Sequence, residues 1–147
     1  MGIAIRRLEA ADRAAWDVLY AGYAEHYRVA QTSAMRDVVW GWLMDPAHGT
    51  QGFVAVAAGV PVGLAHYRPF ARPLMASTGG FLDDLFVAPA ARGTGAAEAL
   101  IAAVAEDGRA RGWGVIRWIT AQDNARARAV YDRVAAATPW VTYDIKL

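Results

Sequence analysis

Residues 81–104, FLDDLFVAPAARGTGAAEALIAAV, decide the fold that this sequence predicts. Phe81 to Val87 has the character of a strand, and Ala88-Pro89 closes it. A helix is predicted from about Gly95 to Arg111, because its apolar residues recur at steps of three and four. These apolar positions are Ala97, Leu100, Ile101, Val104 and Ala105. A strand, a short turn and a helix in this order predict the first part of a right-handed parallel crossover.

The Gly-rich turn inside this stretch predicts an anion site. Backbone N–H groups at a helix start have no partner, and the helix dipole makes that end partly positive. Gly93 and Gly95 lack a Cβ, so a phosphate can approach the backbone, and Arg92 adds a fixed positive charge. A pyrophosphate is the expected ligand, although a purely structural turn is an alternative. Neither GxGxxG nor Gly-Lys-Ser/Thr occurs here, which counts against a nucleotide-binding protein.

The remaining elements extend the crossover into a mixed α/β sheet within one domain, residues 1–147. The predicted order is β-α-α-β-β-β-α-β-α-β, with antiparallel hairpins before a parallel crossover from Phe81 to Thr120. The other strands are predicted at Ile3–Arg7, Gly52–Ala58, Val62–Tyr67, Val115–Thr120 and Trp140–Ile145. The other helices are predicted at about Ala10–Tyr27, at Ser33–Met44 with Ser33 as its cap, and from the cap Asn124 to Val134.

Composition excludes several functional classes. The net charge of +1 argues against a nucleic-acid partner that is bound through phosphate neutralisation. The absence of cysteine excludes disulfides and a cysteine thioester intermediate. His26, His48 and His66 are scattered, so no metal site is predicted. No apolar stretch is long enough for a membrane span and no signal peptide is recognisable, which predicts a cytoplasmic protein without a membrane partner.

Two motifs together resemble the GCN5-related N-acetyltransferase (GNAT) superfamily. The first is Arg92-Gly93-Thr94-Gly95-Ala96-Ala97 after a strand that ends Leu85-Phe86-Val87, and the second is Asn-x-x-Ala-x-x-x-Tyr from Asn124 to Tyr131. Their spacing and the element order also match that superfamily. Residues 134–141, VAAATPWV, replace its usual Gly-Phe strand. This ending is similar to the branch that includes diamine, amino-acid and histone-like acetyltransferases.

The resemblance implies acetyl-CoA as cofactor, bound where the two parallel strands splay apart. The pyrophosphate would lie on the amides of Arg92, Gly93, Thr94, Gly95, Ala96 and Ala97. Phe86, Val87 and Ala88 would pair with the pantetheine arm, and the Val87 amide would hold the oxyanion. Asn124 would donate to the arm. Tyr131 would give a proton to the leaving thiolate, although a core aromatic is the alternative for this residue.

The acceptor side is less constrained by the sequence. Side chains alternate along a strand, so only one of Asp83 and Asp84 should face the acceptor. By resemblance to the diamine branch, Asp83 would be a water-mediated base or would bind the ammonium group, and Asp84 would be structural. Tyr27, at the end of the first predicted helix, is the candidate for holding an ammonium over its ring, with core packing as the alternative.

The function predicted from these residues is transfer of acetyl from acetyl-CoA to a primary amine, catalysed by Tyr131 with Asp83. A small amine, polyamine or amino acid is the expected acceptor. The alternatives are a protein lysine or N-terminal acetyltransferase, and a non-catalytic CoA-binding sensor. The segment from Trp140 to Leu147 is aromatic and strand-like, so pairing across a homodimer is also expected.

Overall fold

The computed structural model describes residues 2–147, which form a five-stranded sheet with helices on both faces. The strands lie in the sheet in chain order, and all neighbours are antiparallel except the last pair, which is parallel. The strands are β1 (Ile3–Arg7), β2 (Gln51–Ala57), β3 (Val60–Arg72), β4 (Ser77–Val87) and β5 (Ile116–Arg117). The helices are α1 (Arg13–His26), α2 (Ser33–Met44), α3 (Ala96–Ala110) and α4 (Ala125–Val134). The predicted α/β class is therefore confirmed.

Local sequence signals fix most of the helix bounds. α2 ends at Met44 because Pro46 follows the next residue. Its cap is Thr32 and not the predicted Ser33, since the Thr32 hydroxyl accepts from the Met35 N–H at 3.1 Å. α4 begins at the predicted cap, where the side chain of Asn124 accepts from the Ala127 N–H.

The sheet separates two apolar cores. On one face α3 packs on β2, β3 and β4, and on the other face α1 packs on β3 and β4. Neighbouring residues of β3 alternate between them: Leu64 packs with Trp16 of α1, whereas Ala65 packs with Leu100 of α3. The sheet therefore holds the start of α3 and the end of α1 at fixed positions relative to β4.

β4 and β5 splay apart as expected. Only two residue pairs join them, Gly80 with Ile116 and Phe81 with Arg117, whereas β4 continues to Val87. Beyond Phe81 the outer edge of β4 has no neighbouring strand among residues 2–147. An opening therefore lies beside the last six residues of β4, at the place where the sequence predicts the cofactor.

Two strand predictions are wrong. β5 is limited to Ile116–Arg117 and does not extend over Val115–Thr120. Residues 135–147 contain no helix or strand, so the predicted strand from Trp140 to Ile145 does not form in the single chain. A strand needs a hydrogen-bonded neighbour, and this segment has none within its own chain.

A β-bulge in β4 changes the direction of two carboxylates. His66 lies opposite Asp84, but the next residue of β3 lies opposite Leu82, so Asp83 is an extra residue in β4. Asp83 pairs with Arg68 at 3.0 Å and Asp84 with His66 at 2.8 Å, and these two partners share one face of β3. Both carboxylates therefore project from the same face of β4, which alternation along the strand did not predict. Strict alternation holds only in a regular strand.

Candidate active site

An open cavity of about 430 Å³ lies where β4 ends, between the start of α3, the end of α1 and one side of α4. Its volume is in the range of small-molecule sites. The cavity is lined by His26, Tyr27, Leu85, Phe86, Val87, Ala91, Arg92, Gly93, Gly95, Ala96, Ala97, Glu98, Asn124, Arg126, Ala127, Val130, Tyr131 and Arg133. Of the site residues predicted from the sequence, all except Asp83, Ala88 and Thr94 belong to this lining.

Unpaired backbone donors surround the start of α3. In the part of the chain that the structure describes, the N–H groups of Gly93, Thr94 and Gly95 donate to no backbone carbonyl. Those of Ala96 and Ala97 have no partner inside the helix, because they belong to its first turn. The dipole of α3 adds partial positive charge at the same place. This end of the cavity therefore suits a diphosphate.

Glycine is required twice in this turn. Gly93 has φ +78° and Gly95 has φ +85°, both in the left-handed region that other residues rarely adopt. A Cβ placed on either glycine would meet no protein atom within 4 Å, so the space beside them is open. Thr94 does not line the cavity, because its hydroxyl donates to the Ala91 carbonyl at 2.5 Å and stabilises the turn.

The end of β4 presents one backbone donor to the splay. The Ala88 N–H donates to the Val62 carbonyl at 2.8 Å, so it points towards β3. Because successive N–H groups point to opposite sides of a strand, the Val87 N–H points away from β3 and into the opening. Ala88 therefore cannot donate to a ligand there, whereas Val87 can.

α4 brings the second motif to the opposite wall. Asn124 and Tyr131 are seven residues apart, about two helical turns, so both face the cavity. The Asn124 Oδ1 caps α4 by accepting from Ala127, which leaves its Nδ2 free to donate. The Tyr131 ring packs edge-on against Trp118, with ring centroids 5.5 Å apart. Burial, reinforced by the Tyr27 phenol, raises the pKa of Tyr131, so its hydroxyl is protonated at neutral pH.

Tyr27 lies at the rim of the cavity, where α1 ends. Its ring contacts Tyr23 edge-on at a centroid distance of 4.9 Å, and Tyr23 in turn packs on Phe86 of β4. Almost half of Tyr27 is exposed, unlike Trp16 and Tyr20 of the same helix, which are buried. Tyr27 can therefore contact a ligand that approaches the Phe86 side of the cavity.

Several residues that line the cavity were not predicted from the sequence. His26, Glu98, Arg126 and Arg133 carry charge or polarity into the cavity, and Arg133 pairs with Glu98 at 3.5 Å across α4 and α3. Nothing in the pattern singled out His26, Glu98 or Arg133, whereas the sequence left Arg126 open between solvent and the phosphates of the cofactor. The lining residues Ala127 and Val130 share the predicted apolar face of α4 with Tyr131, so helical spacing alone would have found them.

Asp83 lies outside the cavity lining in this structure. It forms an ion pair with Arg68, whose Nε is 3.0 Å from Oδ2. Burial raises the pKa of Asp83, and the positive charge of Arg68 partly opposes this rise. The carboxylate of Asp83 therefore already has a cationic partner in Arg68.

Asp84 belongs to a buried network, as the sequence suggested for a structural residue. Its Oδ2 lies 2.8 Å from His66 Nδ1 and accepts from the Tyr20 hydroxyl at 2.8 Å. The Trp16 indole donates to His66 Nε2 at 2.9 Å. Because the indole can only donate, Nε2 carries no proton and Nδ1 donates to Asp84. Burial, reinforced by the charge of Asp84, raises the pKa of Tyr20.

Within residues 2–147, no helix is both long and apolar enough to cross a membrane. The same residues contain no cluster of three or more His, Cys, Asp or Glu side chains that could hold a metal ion.

Comparison with known proteins gives one family and several relatives. The model of a family described as the acetyltransferase (GNAT) family matches residues 16–136. The chain is 26% identical over 143 residues to the D-amino-acid N-acetyltransferase HPA3 of Saccharomyces cerevisiae. The aligned residues cover 96% of this chain and 89% of that protein.

Solved structures share the fold. The ribosomal-protein-alanine N-acetyltransferase from Brucella melitensis biovar Abortus 2308 superposes with a TM-score of 0.82 at 24% identity, over 100% of both chains. The aminoglycoside N-acetyltransferase AAC(6')-Iy, solved in complex with CoA, superposes with a TM-score of 0.85 at 23% identity, over 99% of this chain and 95% of that one.

Proposed function

Because the chain belongs to the acetyltransferase (GNAT) family, we propose that it acetylates a primary amine of a small molecule with acetyl-CoA as acetyl donor. The observation that carries this proposal is a juxtaposition within one cavity. Unpaired N–H groups at the start of α3 lie in one wall, and the phenol of Tyr131 lies in the wall formed by α4.

The turn before α3 would bind the diphosphate of acetyl-CoA. Its ligands would be the backbone N–H groups of residues 93–97, with the Arg92 guanidinium adding charge. The opening beside β4 would take the pantetheine arm as an additional strand, paired with Leu85 and Val87. Phe86 would contact the arm, and Asn124 Nδ2 would donate to it. Ala88 would not pair with the arm, because its N–H donates to Val62 and its carbonyl accepts from Ala91.

Acetyl-CoA supplies a thioester, whose carbonyl carbon is attacked by the neutral amine nitrogen. The Val87 N–H would donate to the carbonyl oxygen as it gains negative charge. When the C–S bond breaks, the Tyr131 hydroxyl would give its proton to the departing sulfur, and solvent would return one to the phenolate. The new N–C bond leaves an extra proton on nitrogen, and Asp83 would accept it through water.

The acceptor is proposed to be a small amine, polyamine or amino acid. The relative HPA3 is named a D-amino-acid N-acetyltransferase, and its match extends over almost the whole of this chain. Tyr27 and Phe86 line the cavity on the α1 side, and Tyr23 packs against both, which suits a compact acceptor more than an extended peptide. Tyr27 would lie over the ammonium group, and Asp83 would attract it.

The test combines a panel of amines with one variant. Diamines, polyamines, D- and L-amino acids, an aminoglycoside and a lysine peptide are each incubated with acetyl-CoA, and free thiol is measured. Tyr131→Phe should lower kcat by about 100-fold or more, because general acid catalysis contributes about 10²–10⁴-fold. Its Kd for CoA, measured by calorimetry, should be unchanged.

Other outcomes identify the other functions. CoA binding without thiol release from any amine would indicate a sensor. Release that is fastest with the lysine peptide would indicate a protein acetyltransferase. Equal kcat for the parent and Tyr131→Phe would remove Tyr131 from the mechanism. The single-domain organisation, the cytoplasmic location and the lack of a nucleic-acid partner stay predictions.

A further inference from the structure

A pair of opposite charges lies on the exposed part of the sheet next to the cavity. The guanidinium group of Arg68 on β3 and the carboxylate of Asp83 on β4 are 3.0 Å apart, and their side chains are 45% and 34% exposed. The Nε of Arg68 makes both hydrogen bonds to this carboxylate. Within residues 2–147, neither Nη of Arg68 donates a hydrogen bond, so these outer N–H groups are available to a ligand.

Two aromatic rings hold the guanidinium group of Arg68 in place. Arg68 and Phe81 are paired residues of β3 and β4, and the guanidinium carbon lies 5.0 Å from the centroid of the Phe81 ring. Phe70 packs edge-on against Phe81 at a centroid distance of 6.2 Å. A planar guanidinium group that already lies over a ring and against a carboxylate loses little freedom when it binds a further group.

The Arg68–Asp83 pair lies within reach of a molecule that extends out of the cavity. Asp83 precedes Leu85, the first residue of β4 that lines the cavity, by two residues, which is about 7 Å along a strand. Arg68 follows His66 by two residues, so both side chains point to the α1 side of the sheet. The Phe86 ring lines the cavity and faces the same side. A ligand can therefore follow this face of β4 from the cavity to the pair.

We propose that Arg68 binds the carboxylate of the acceptor, and that the acceptor is therefore an α-amino acid. In such a molecule one carbon separates the ammonium group from the carboxylate, and Asp83 and Arg68 present the complementary charges side by side. The α-amine would lie between Asp83 and the thioester, and the carboxylate would accept from the Nη groups of Arg68. This inference deepens the proposed function and rests on it for the reaction, although the carboxylate site itself is tested without turnover.

The charges of the pair favour a zwitterion over the other amines. A diamine or polyamine would bring a second positive charge to a place where Arg68 already neutralises Asp83, and like charges repel. A peptide lysine or an aminoglycoside has no carboxylate next to its amine, so it would leave the Nη donors of Arg68 without an acceptor. Within the class of small amines, the pair therefore selects amino acids.

Arg117 on β5 provides a matched control. It is paired with Phe81 on the other side of β4, so it points to the same face of the sheet as Arg68. Its guanidinium carbon lies 5.5 Å from the centroid of Phe70, which is paired with the start of β4 and lies away from the cavity. Substitution of either arginine removes one positive charge and one cation–π contact from the same cluster. Only Arg68 points towards Asp83 and the cavity.

The first test compares amino acids with their own carboxamides, which keep the α-amine and lose the negative charge. The D and L forms of alanine, leucine and phenylalanine, each beside its carboxamide, are incubated with acetyl-CoA, and free thiol is measured. The ratio of kcat/KM for acid over amide should fall about 10-fold or more in Arg68→Met, through the KM of the amino acid, because hydrogen bonds between charged groups are lost. The ratio should be unchanged in Arg117→Met.

The carboxamides also separate carboxylate binding from an effect on Asp83. Loss of Arg68 changes the pKa of Asp83, but this change affects acid and amide alike, because both react through an α-amine. The difference in pKa between the two amines is the same for every variant and cancels from the comparison. A ratio in Arg68→Met equal to that of the parent would overturn the proposal, as would a parent that acetylates the carboxamides or diamines faster than every amino acid.

The second test needs no acetyl transfer. The protein is saturated with CoA, and binding of the same acids and amides is measured by calorimetry. The parent should bind the amino acid more tightly than its amide, and Arg68→Met should lose about 10-fold or more of its affinity for the acid. The Kd of Arg68→Met for CoA should equal that of the parent, which shows that the variant is folded.

The two tests distinguish failure of this inference from failure of the proposed function. Binding of the amino acid that depends on Arg68, without thiol release, would refute acetyl transfer and leave the carboxylate site. Acetyl transfer by a protein whose Arg68→Met variant binds the amino acid as tightly as the parent would refute the carboxylate site and leave acetyl transfer. A CoA-saturated parent that binds none of the amino acids would also refute the carboxylate site.

Discussion

His66 on β3 lies opposite Asp84 on β4, and its ring Nδ1 donates to the carboxylate at 2.8 Å. The bond belongs to a buried hydrogen-bond network that runs from Trp16 through His66 and Asp84 to Tyr20. This network links α1 to the bulged part of β4. Buried polar groups in such a network stabilise the fold only while every partner is present.

Tyr20→Phe should lower the free energy of unfolding by about 1–3 kcal/mol, because the variant removes a hydrogen bond to a partly buried carboxylate. Urea unfolding measures the change. In the Asp84→Asn background the same substitution should cost less, since the charged acceptor is already absent. Additive losses in the double variant would mean that the two residues do not interact.

Gly95→Ala should weaken CoA binding, and Gly59→Ala should not. Both glycines have positive φ and open space where a Cβ would stand, so each substitution should cost about 1–2 kcal/mol of stability from backbone strain alone. Only Gly95 lines the cavity. Its new Cβ should displace the diphosphate from the N–H groups and raise the Kd for CoA by about 10-fold or more, since bonds to charged groups contribute about 1.5–3 kcal/mol.

Calorimetry of both variants decides this prediction. Equal CoA affinity in Gly95→Ala and the parent would mean that the diphosphate does not approach this turn. A loss of affinity in both variants would mean that backbone strain, and not the lost approach, is the cause.

The sequence predicts those parts of the fold that local rules govern. The apolar spacing of α3 and the Asn124 cap depend on residues close in sequence, and both are present. The prediction of a strand from Trp140 to Ile145 is wrong, because a strand depends on a neighbouring strand that one chain does not provide. Its alternation was recognisable, but the missing partner was not.

The candidate site, too, could be predicted only where it depends on residues close in sequence. Arg92 and Tyr131 line one cavity, and each belongs to a motif that includes the start of a predicted helix. The direction of Asp83 could not be predicted, because a β-bulge is a property of two paired strands and has no signature in one of them. The pairing of Asp83 with Arg68 was missed for the same reason.

Asp12→Asn should lower the Tm at neutral pH and have little effect in acid. Hydrogen bonds from Arg6, at 2.7 and 2.9 Å, hold the pKa of Asp12 below its ordinary value of 3.8, although burial opposes them. A lowered pKa in the folded state gives stability that is present above pH 3.8 and is lost as the pH falls through the folded value. The Tm difference between parent and variant should therefore shrink below about pH 3.8.

The exposed carboxylate Glu106 provides the control for that scan. Glu106→Gln should leave the Tm nearly unchanged at every pH. A Tm difference for Asp12→Asn that stayed constant from neutral to acid would show that the charge of Asp12 contributes nothing.

Asp83 must be ionised to attract an ammonium group or accept its proton, so kcat/KM should fall on acidification as Asp83 binds a proton. Burial raises the pKa of Asp83, and Arg68 opposes the rise, so Arg68→Met should move the acid limb of the profile to higher pH. Asp83→Asn should lower kcat/KM and abolish that limb. The same amine is used throughout, so its own titration contributes equally to every profile. An acid limb that is identical in the parent and in Asp83→Asn would assign the proton to another group.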